Sequence, residues 1–154
     1  MRARSAAVLL TAVLAAGCAN SGTNGRIVGD NSDQCDPAAK LPESVQRIGL
    51  QLPANRADEK FCYRPRQQDE WILQLSFSAA RGEVESFLSG NGLPALKEGY
   101  SPIISSDARK LGWELDSLSR YSGGEQWNGD GYQSVVVDQS DDARWHVYFK
   151  FANM

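Results

Sequence analysis

The sequence predicts an α+β domain in which one helix packs on a face of an antiparallel sheet of four or five strands. Two segments, Trp71–Phe77 and Trp145–Phe151, alternate apolar and polar residues with a period of two, which is typical of strands with one buried face. Between them, Ala79–Gly90 carries apolar residues at helical spacing. The predicted order is strand, strand, helix, long connection, strand, strand, which favours a helix laid over an antiparallel sheet.

Two further strand segments are predicted before the first clear strand. In Gln46–Leu52 every second residue from Ile48 onward is apolar, and the segment ends at Pro53, which cannot donate to a ladder. We also expect a short edge segment over Glu59–Arg64. In Trp71–Phe77 the odd-numbered apolar residues identify the face that is buried.

The predicted helix runs over Ala79–Gly90. Ser78 is available as its N-cap, and Glu83 lies near the positive end of the helix dipole. Gly90 and Gly92 can end the helix. The apolar residues that define its buried face are Ala80, Val84, Phe87 and Leu88.

A long connection, residues 91–132, separates this helix from the last two strands. About 40 residues is more than compact domains normally leave unstructured, so the connection is either partly folded or functional. We expect a short helical turn over Asp107–Leu111, stopped by Gly112. The run Asn128–Gly131 predicts a turn that leads into the next strand.

The last two strands are predicted to pair as an antiparallel hairpin. Gln133–Asp138 contains three consecutive valines, and Gln139–Asp142 is a polar, turn-forming run. The strand that follows alternates most clearly of all. Its apolar face consists of Trp145, Val147, Phe149 and Phe151, opposite Arg144, His146, Tyr148 and Lys150.

The N-terminal residues have the composition of an export signal. Arg2 and Arg4 give a positive start, and Ala6–Ala16 is an apolar stretch too short to span a bilayer as a mature helix. The run Leu14–Cys18 resembles the lipobox of bacterial lipoproteins, in which the cysteine is acylated and becomes the new N-terminus. The alternative is an ordinary secretory signal that happens to contain a cysteine.

The lipobox resemblance implies three parts of the chain. Residues 1–17 form a removable signal peptide, residues 18–34 comprise the lipidated Cys18 and a flexible polar tether, and residues 35–154 form a single domain. The lipid would hold the domain on the extracytoplasmic face of the cell membrane. In a Gram-negative host the outer membrane is expected, because Ala19 is not the Asp that serves as the inner-membrane retention signal.

The net charge of the mature chain limits the classes of partner that it is expected to bind. Removing residues 1–17, which include Arg2 and Arg4, leaves 14 basic and 19 acidic residues. This mildly acidic net charge argues against binding to the phosphates of nucleic acids and against electrostatic attraction to anionic lipids. We therefore expect no nucleic-acid partner and a membrane partner that is engaged through the lipid on Cys18.

The other two cysteines are predicted to form a disulfide. Once Cys18 is assigned to lipid, Cys35 and Cys62 remain as an even pair in an exported, oxidising setting. A redox-active pair is the weaker alternative, because the spacing is unlike Cys-x-x-Cys. A zinc site needs more ligands than two cysteines and His146, and no metal or cofactor is predicted.

Candidate binding residues concentrate in the long connection. Aromatic rings supply contact area at little entropic cost and carboxylates orient hydroxyls, so one interpretation is a shallow surface for a sugar or a peptide. The other interpretation is that Trp113 and Tyr121 fold back over the second face of the sheet. The aromatic candidates are Tyr100, Trp113, Tyr121, Trp127 and Tyr132, and the carboxylates beside them are Glu114, Asp116 and Glu125.

Signals for catalysis are weak. His146, the only histidine, lies on the polar face of a predicted strand, and no nucleophile elbow accompanies it, so we interpret it as a solvated histidine. Glu114 and Asp116 would share a face on extended backbone, as a glycosidase carboxylate pair could. The favoured function is a non-catalytic envelope lipoprotein that binds a protein or a glycan. The alternative is a small surface hydrolase that acts on envelope glycans through carboxylates of the connection.

Several features spread over the chain form a recognisable combination. They are the signal that ends at Cys18, Leu41–Ser44 at the opening of the domain, the Trp71 strand that leads into the Phe87-Leu88 helix, and Val135–Asp138 before a final aromatic strand. In combination they resemble the small lipoproteins that are abundant in actinomycetes. Such lipoproteins generally have no assigned activity, so the resemblance implies a place in the cell envelope and no catalytic residues.

Overall fold

The computed structural model describes residues 34–66, 69–129 and 131–154. The predicted signal peptide, Cys18 and all of the predicted tether except its last residue lie outside the described residues. Within them, helices, strands and one 3-10 turn follow one another along the chain. Their bounds are α1 (Leu41–Gln46), β1 (Ala57–Pro65), β2 (Trp71–Ala80), α2 (Arg81–Gly90), β3 (Lys97–Glu98), α3 (Ser105–Lys110), the 3-10 turn (Leu115–Ser117), β4 (Tyr121–Asn128), β5 (Gly131–Asp138) and β6 (Arg144–Asn153).

The strands form one antiparallel sheet of six strands in the order β1-β2-β6-β5-β4-β3. An antiparallel sheet with short helices confirms the predicted α+β class, but the expectation of four or five strands is wrong. The additional strands, β3 and β4, come from the long connection, which is therefore partly folded. The predicted edge segment at Glu59–Arg64 is confirmed, since β1 lies at one edge of the sheet.

Two glycines explain why the sequence pattern did not reveal β4. A Cβ atom on Gly123 would lie 2.3 Å from the carbonyl oxygen of Tyr100, and one on Gly124 would lie 2.4 Å from that of Ala95. Only glycine permits such a close approach of the preceding backbone. This requirement removes the apolar alternation by which β4 would otherwise have been recognised.

The main core lies on the first face of the sheet, between the sheet and α2. β2 and β6 are neighbours in the sheet, and their alternating apolar side chains point to this face, as predicted. α2 packs there through Val84 and Phe87, and the Phe87 ring meets Phe77 edge-on at 5.2 Å. The central strands contribute Leu73, Leu75, Phe77, Val135, Val137, Trp145, Val147, Phe149 and Phe151.

The strand predicted over Gln46–Leu52 is wrong. The chain instead forms α1, with Pro42 in the first turn, where its missing N–H costs nothing, and Val45 buried. A turn at Gly49, whose φ is +65°, follows the helix. Leu50 then enters the core from a loop. The apolar alternation here reflects a loop packed on the core and not a strand.

The start of the second helix also differs from the prediction. β2 continues to Ala80, which is the N-cap of α2, and Ser78 is therefore a strand residue. The Ser78 hydroxyl donates a hydrogen bond to the Asp58 carboxylate across the sheet. Glu83 does lie in the first turn, where its carboxylate accepts a hydrogen bond of 3.3 Å from the Ala80 N–H. The helix begins only where the chain leaves the sheet.

The Cys35–Cys62 disulfide is present, as predicted, with 5.1 Å between the two Cα atoms. Next to it, the Asp36 N–H donates a hydrogen bond of 2.7 Å to the Tyr63 carbonyl oxygen. Cys62 belongs to β1, and Cys35 precedes α1. The disulfide therefore ties the first described residues to the edge of the sheet.

Candidate functional site

The second face of the sheet is covered by residues 103–118 of the connection, a segment we call the cover. Trp113 is the centre of the cover and is 3 % exposed. Its indole N–H donates a hydrogen bond of 3.0 Å to the Ser76 hydroxyl, and its ring meets Tyr148 at 5.3 Å. The apolar residues buried with it are Ile103, Ala108, Leu115 and Val136.

Two of the five aromatic candidates thus belong to the cover or its border. Trp113 is buried, and Tyr121 is half-buried against the same cluster, where its hydroxyl donates to the Gly99 carbonyl oxygen at 3.2 Å. The interpretation that Trp113 folds back over the second face is confirmed, whereas Tyr121 is a residue of strand β4 that borders the cover. Trp113 is corrected from a surface candidate to a core residue, because it leaves no ring face for a ligand.

The other three aromatic candidates gather around Glu125, and we call Tyr100, Glu125, Trp127 and Tyr132 the Glu125 cluster. Trp127 of β4 pairs with Tyr132 of β5, and their rings lie 5.2 Å apart at an angle of 55°. Glu125 is two residues before Trp127 and therefore on the same face of the strand. Both tyrosine hydroxyls donate hydrogen bonds to its carboxylate, Tyr100 to one oxygen and Tyr132 to the other.

The hydrogen bonds within the Glu125 cluster set its charge state. Those donated by Tyr100 and Tyr132 hold the pKa of Glu125 below its usual range, against an opposing effect of burial. Burial and the bond to Glu125 raise the pKa of Tyr132. The bond to Glu125 also raises the pKa of Tyr100. At neutral pH the cluster therefore holds one carboxylate charge and two protonated phenols.

The outer part of the cluster is open to solvent. Trp127 is 66 % exposed, the largest exposed fraction among the large apolar side chains of the described residues. Within those residues, no Lys or Arg forms an ion pair with Glu125. The cluster thus presents a ring edge and face beside an uncompensated negative charge.

Sequence reasoning named all four residues of the cluster but did not bring them together. A two-residue turn after Asn128 would have placed Tyr132 opposite Trp127. The pairing of these two rings could therefore have been predicted from the sequence. The contact of Tyr100 with Glu125 could not have been predicted, because it depends on how the chain runs near β3. The register of β3 against β4 decides that contact.

His146 lies in a row of polar residues near one end of the second face. Its direct cross-strand partners are Ser78 on β2 and Asp138 on β5, and its ring lies 4.7 Å from that of Tyr148. The expectation of a solvated histidine is wrong, since the side chain is half-buried. Burial lowers the pKa of His146, and the nearby carboxylates of Asp58 and Asp138 oppose that effect.

The polar row does not assemble a nucleophile with its base. The Ser78 hydroxyl donates to Asp58 and accepts a hydrogen bond of 3.1 Å from Arg144 Nε. A serine that attacks a substrate needs to donate to a base such as His146 instead. In the described structure the arrangement joins β1, β2 and β6 at their ends.

The state of His146 predicts how stability depends on pH. The unfolded chain binds the proton near pH 6.5 and the folded protein only at lower pH. This histidine's contribution to the free energy of unfolding is therefore fully present above pH 6.5, and it is lost as the pH falls towards the folded-state pKa. An NMR titration of the single imidazole ring should give a midpoint below 6.5. A midpoint at or above 6.5 would contradict the assigned burial.

The carboxylate pair considered for hydrolysis lies in the cover. Asp116 belongs to the 3-10 turn, where it accepts a hydrogen bond of 2.9 Å from the Ser105 hydroxyl, and Glu114 is the residue that precedes the turn. The extended backbone on which the two carboxylates would share a face is not formed. Glu125, the third candidate carboxylate, accepts hydrogen bonds from the two tyrosines.

The described ranges contain no group of three or more His, Cys, Asp and Glu side chains that could hold a metal ion. In the same ranges, no helix combines the length and the apolar character needed to cross a bilayer. No family model matches the chain, and no curated protein or solved structure is significantly similar to it.

Proposed function

We propose that the protein is a lipid-anchored protein of the cell envelope whose domain binds an envelope protein or glycan through the Glu125 cluster. The anchor is the lipobox cysteine, Cys18, on the extracytoplasmic face of the membrane. Support for the anchor comes from the sequence, through the short apolar segment that ends in small residues before Cys18. Support for binding comes from the geometry of the cluster.

The observation that carries the binding proposal is the ordering of the exposed aromatic surface. An exposed tryptophan by itself is common on protein surfaces and needs no explanation. Here the Trp127 ring lies against Tyr132, whose hydroxyl is held by Glu125. A ligand that contacts this surface would lose little side-chain entropy in the protein, because the partners are already positioned.

Binding can be tested with two substitutions of exposed apolar residues. Trp127→Ala is expected to lower the fraction of the protein retained on purified envelopes by about fivefold, because it removes the ring that offers most contact area. Ile104→Ala is the matched control, since Ile104 is 62 % exposed but lies in the cover. Both substitutions should be made in the Cys18→Ser background, so that a lipid anchor does not retain the protein on the envelopes. Equal retention of wild type and Trp127→Ala would overturn the proposed binding surface.

The anchor can be tested independently of binding. The wild-type protein is expected to enter the detergent phase of a phase separation and to carry the mass of a lipid on its N-terminal cysteine. Cys18→Ser should remain in the aqueous phase, because serine cannot form the thioether. If the two processed chains partition alike and differ in mass only by the substitution, the anchor is disproved while the binding proposal stands.

A further inference from the structure

We infer that the ligand of the Glu125 cluster is an organic cation, the ammonium or guanidinium group of a Lys or Arg side chain on a basic segment of a partner protein. This inference rests on the proposed binding function and chooses among its ligands. Three properties of the cluster support it: its unpaired charge, the geometry of its rings and the direction of its hydrogen bonds.

The first property is a charge without a counter-charge. Glu125 stays ionised because two phenols donate to it. Some other carboxylates of the domain have cationic partners, such as Asp107, which pairs with Lys150 beneath the cover. In the described ranges Glu125 pairs with no such group. A ligand cation would supply the missing charge, and neighbouring rings would exclude part of the water from the pair.

The second property is the ring geometry. The rings of Trp127 and Tyr132 lie 5.2 Å apart at an angle of 55°, and Tyr132 is bonded to the Glu125 carboxylate. Trp127 is 66 % exposed, so its ring can be reached from solvent. Cations are attracted to the faces of aromatic rings, most strongly to tryptophan. The domain already makes such contacts internally, with Arg81 over Trp145 at 5.1 Å and Arg47 over Tyr63.

Those two internal pairs differ from the rings of the Glu125 cluster. In the part of the chain that the structure describes, no guanidinium or ammonium group lies over the ring of Trp127 or Tyr132. A cation that binds these rings would therefore have to come from another molecule. The acidic balance of the chain, 19 acidic against 16 basic residues, also favours approach of a basic partner.

The third property separates a cation from a neutral sugar. Each phenol has one proton, and both protons are donated inward to Glu125. The hydroxyl groups of the cluster can therefore accept but not donate further hydrogen bonds, which leaves the Trp127 indole N–H as the only side-chain donor among the four residues. A sugar hydroxyl group is best bound when it both donates and accepts, whereas an ammonium or guanidinium group only donates. The acceptors and ring faces match the cation.

Calorimetric titration of the full-length protein in mild detergent tests the inference. The probes are a tetralysine peptide with blocked termini and the neutral trisaccharide chitotriose. We expect saturable binding of tetralysine, and Glu125→Gln and Trp127→Ala should each weaken it by about tenfold. Glu98→Gln is the matched control, because it removes the same charge from an exposed carboxylate on β3 and should change the affinity by less than about twofold.

The other outcomes contradict the cation inference, either alone or together with the proposed function. If Glu98→Gln weakens tetralysine binding as much as Glu125→Gln does, the attraction is diffuse and the cation site is disproved. If chitotriose binds in a manner that depends on Trp127 while tetralysine does not, the cation inference fails and the proposed binding function stands. If neither probe binds and Trp127→Ala also leaves envelope retention unchanged, both fail together.

Discussion

Trp113→Ala is expected to lower the free energy of unfolding by about 3–5 kcal/mol, the usual cost of truncating a buried aromatic residue. The ring is 3 % exposed at the centre of the cover, where it packs against Tyr148. Its loss would leave a cavity between the cover and the sheet and would remove the hydrogen bond to Ser76. Urea denaturation followed by circular dichroism measures the change.

The matched control for this prediction is Trp127→Ala. The chemical change is the same, but the Trp127 ring is mostly exposed, so the expected loss of stability is below about 1 kcal/mol. The pair of variants separates a core tryptophan from a surface tryptophan in one experiment. Similar stability losses in both variants would contradict the assignment of Trp113 to the core.

Loss of the disulfide is expected to destabilise the domain by about 3.5 kcal/mol, since the bond closes a loop between residues 27 apart in the sequence. The double variant Cys35→Ser, Cys62→Ser removes it without leaving a free thiol at either position. Cys62 is buried in β1, so a small additional packing cost is expected. Unfolding in urea should be compared for wild type, wild type with reductant and the double variant.

The reductant and thiol labelling provide the controls for this second prediction. Reductant should shift wild type close to the double variant and should leave the double variant unchanged. In the unfolded, unreduced wild type, neither Cys35 nor Cys62 should react with a thiol reagent. Labelling of both cysteines under those conditions would show that the bond is not formed in the protein as isolated.

The parts of the fold that could be predicted are those whose signal is local. The period of two in Trp71–Phe77 and in the C-terminal strand is visible in consecutive residues, because one face of each strand consists of apolar residues that pack in the main core. The polar residues on the other face of β2, such as Gln74 and Ser76, are buried as well, beneath the cover. The hairpin of β5 and β6 followed from a polar turn between a run of three valines and the alternating C-terminal strand. The disulfide followed from counting cysteines once one was assigned elsewhere.

The failed predictions involve segments whose neighbours are distant in the sequence. Ser78 has the chemistry of an N-cap, but β2 continues past it because its partner strand does. The alternation that ends at Leu52 looks like a strand, yet no strand lies beside it in the described sheet. Local residue chemistry permits more than one structure in both places, and tertiary contacts choose between them.

In the candidate site, too, the residue types could be predicted from the sequence and their arrangement could not. Aromatic residues and carboxylates in the connection were recognisable as a group. Trp113 and Trp127 are chemically identical, however, and their roles differ only because one is folded under the cover and the other lies at the end of a hairpin. Tyr100 reaches Glu125 only through the pairing of β3 with β4.

The sequence by itself determined the α+β class, the central strands, the helix on the first face and the cysteine pairing, because each depends on spacing or composition within a short stretch or on a simple count. Only the tertiary structure decided that the sheet has six strands, that the cover buries Trp113, and that three rings of the connection and a carboxylate form one cluster. These features depend on which segments, distant in the sequence, approach each other, as at Gly123 and Gly124. Such contacts cannot be predicted from hydrophobic periodicity, because periodicity reports only on neighbouring residues.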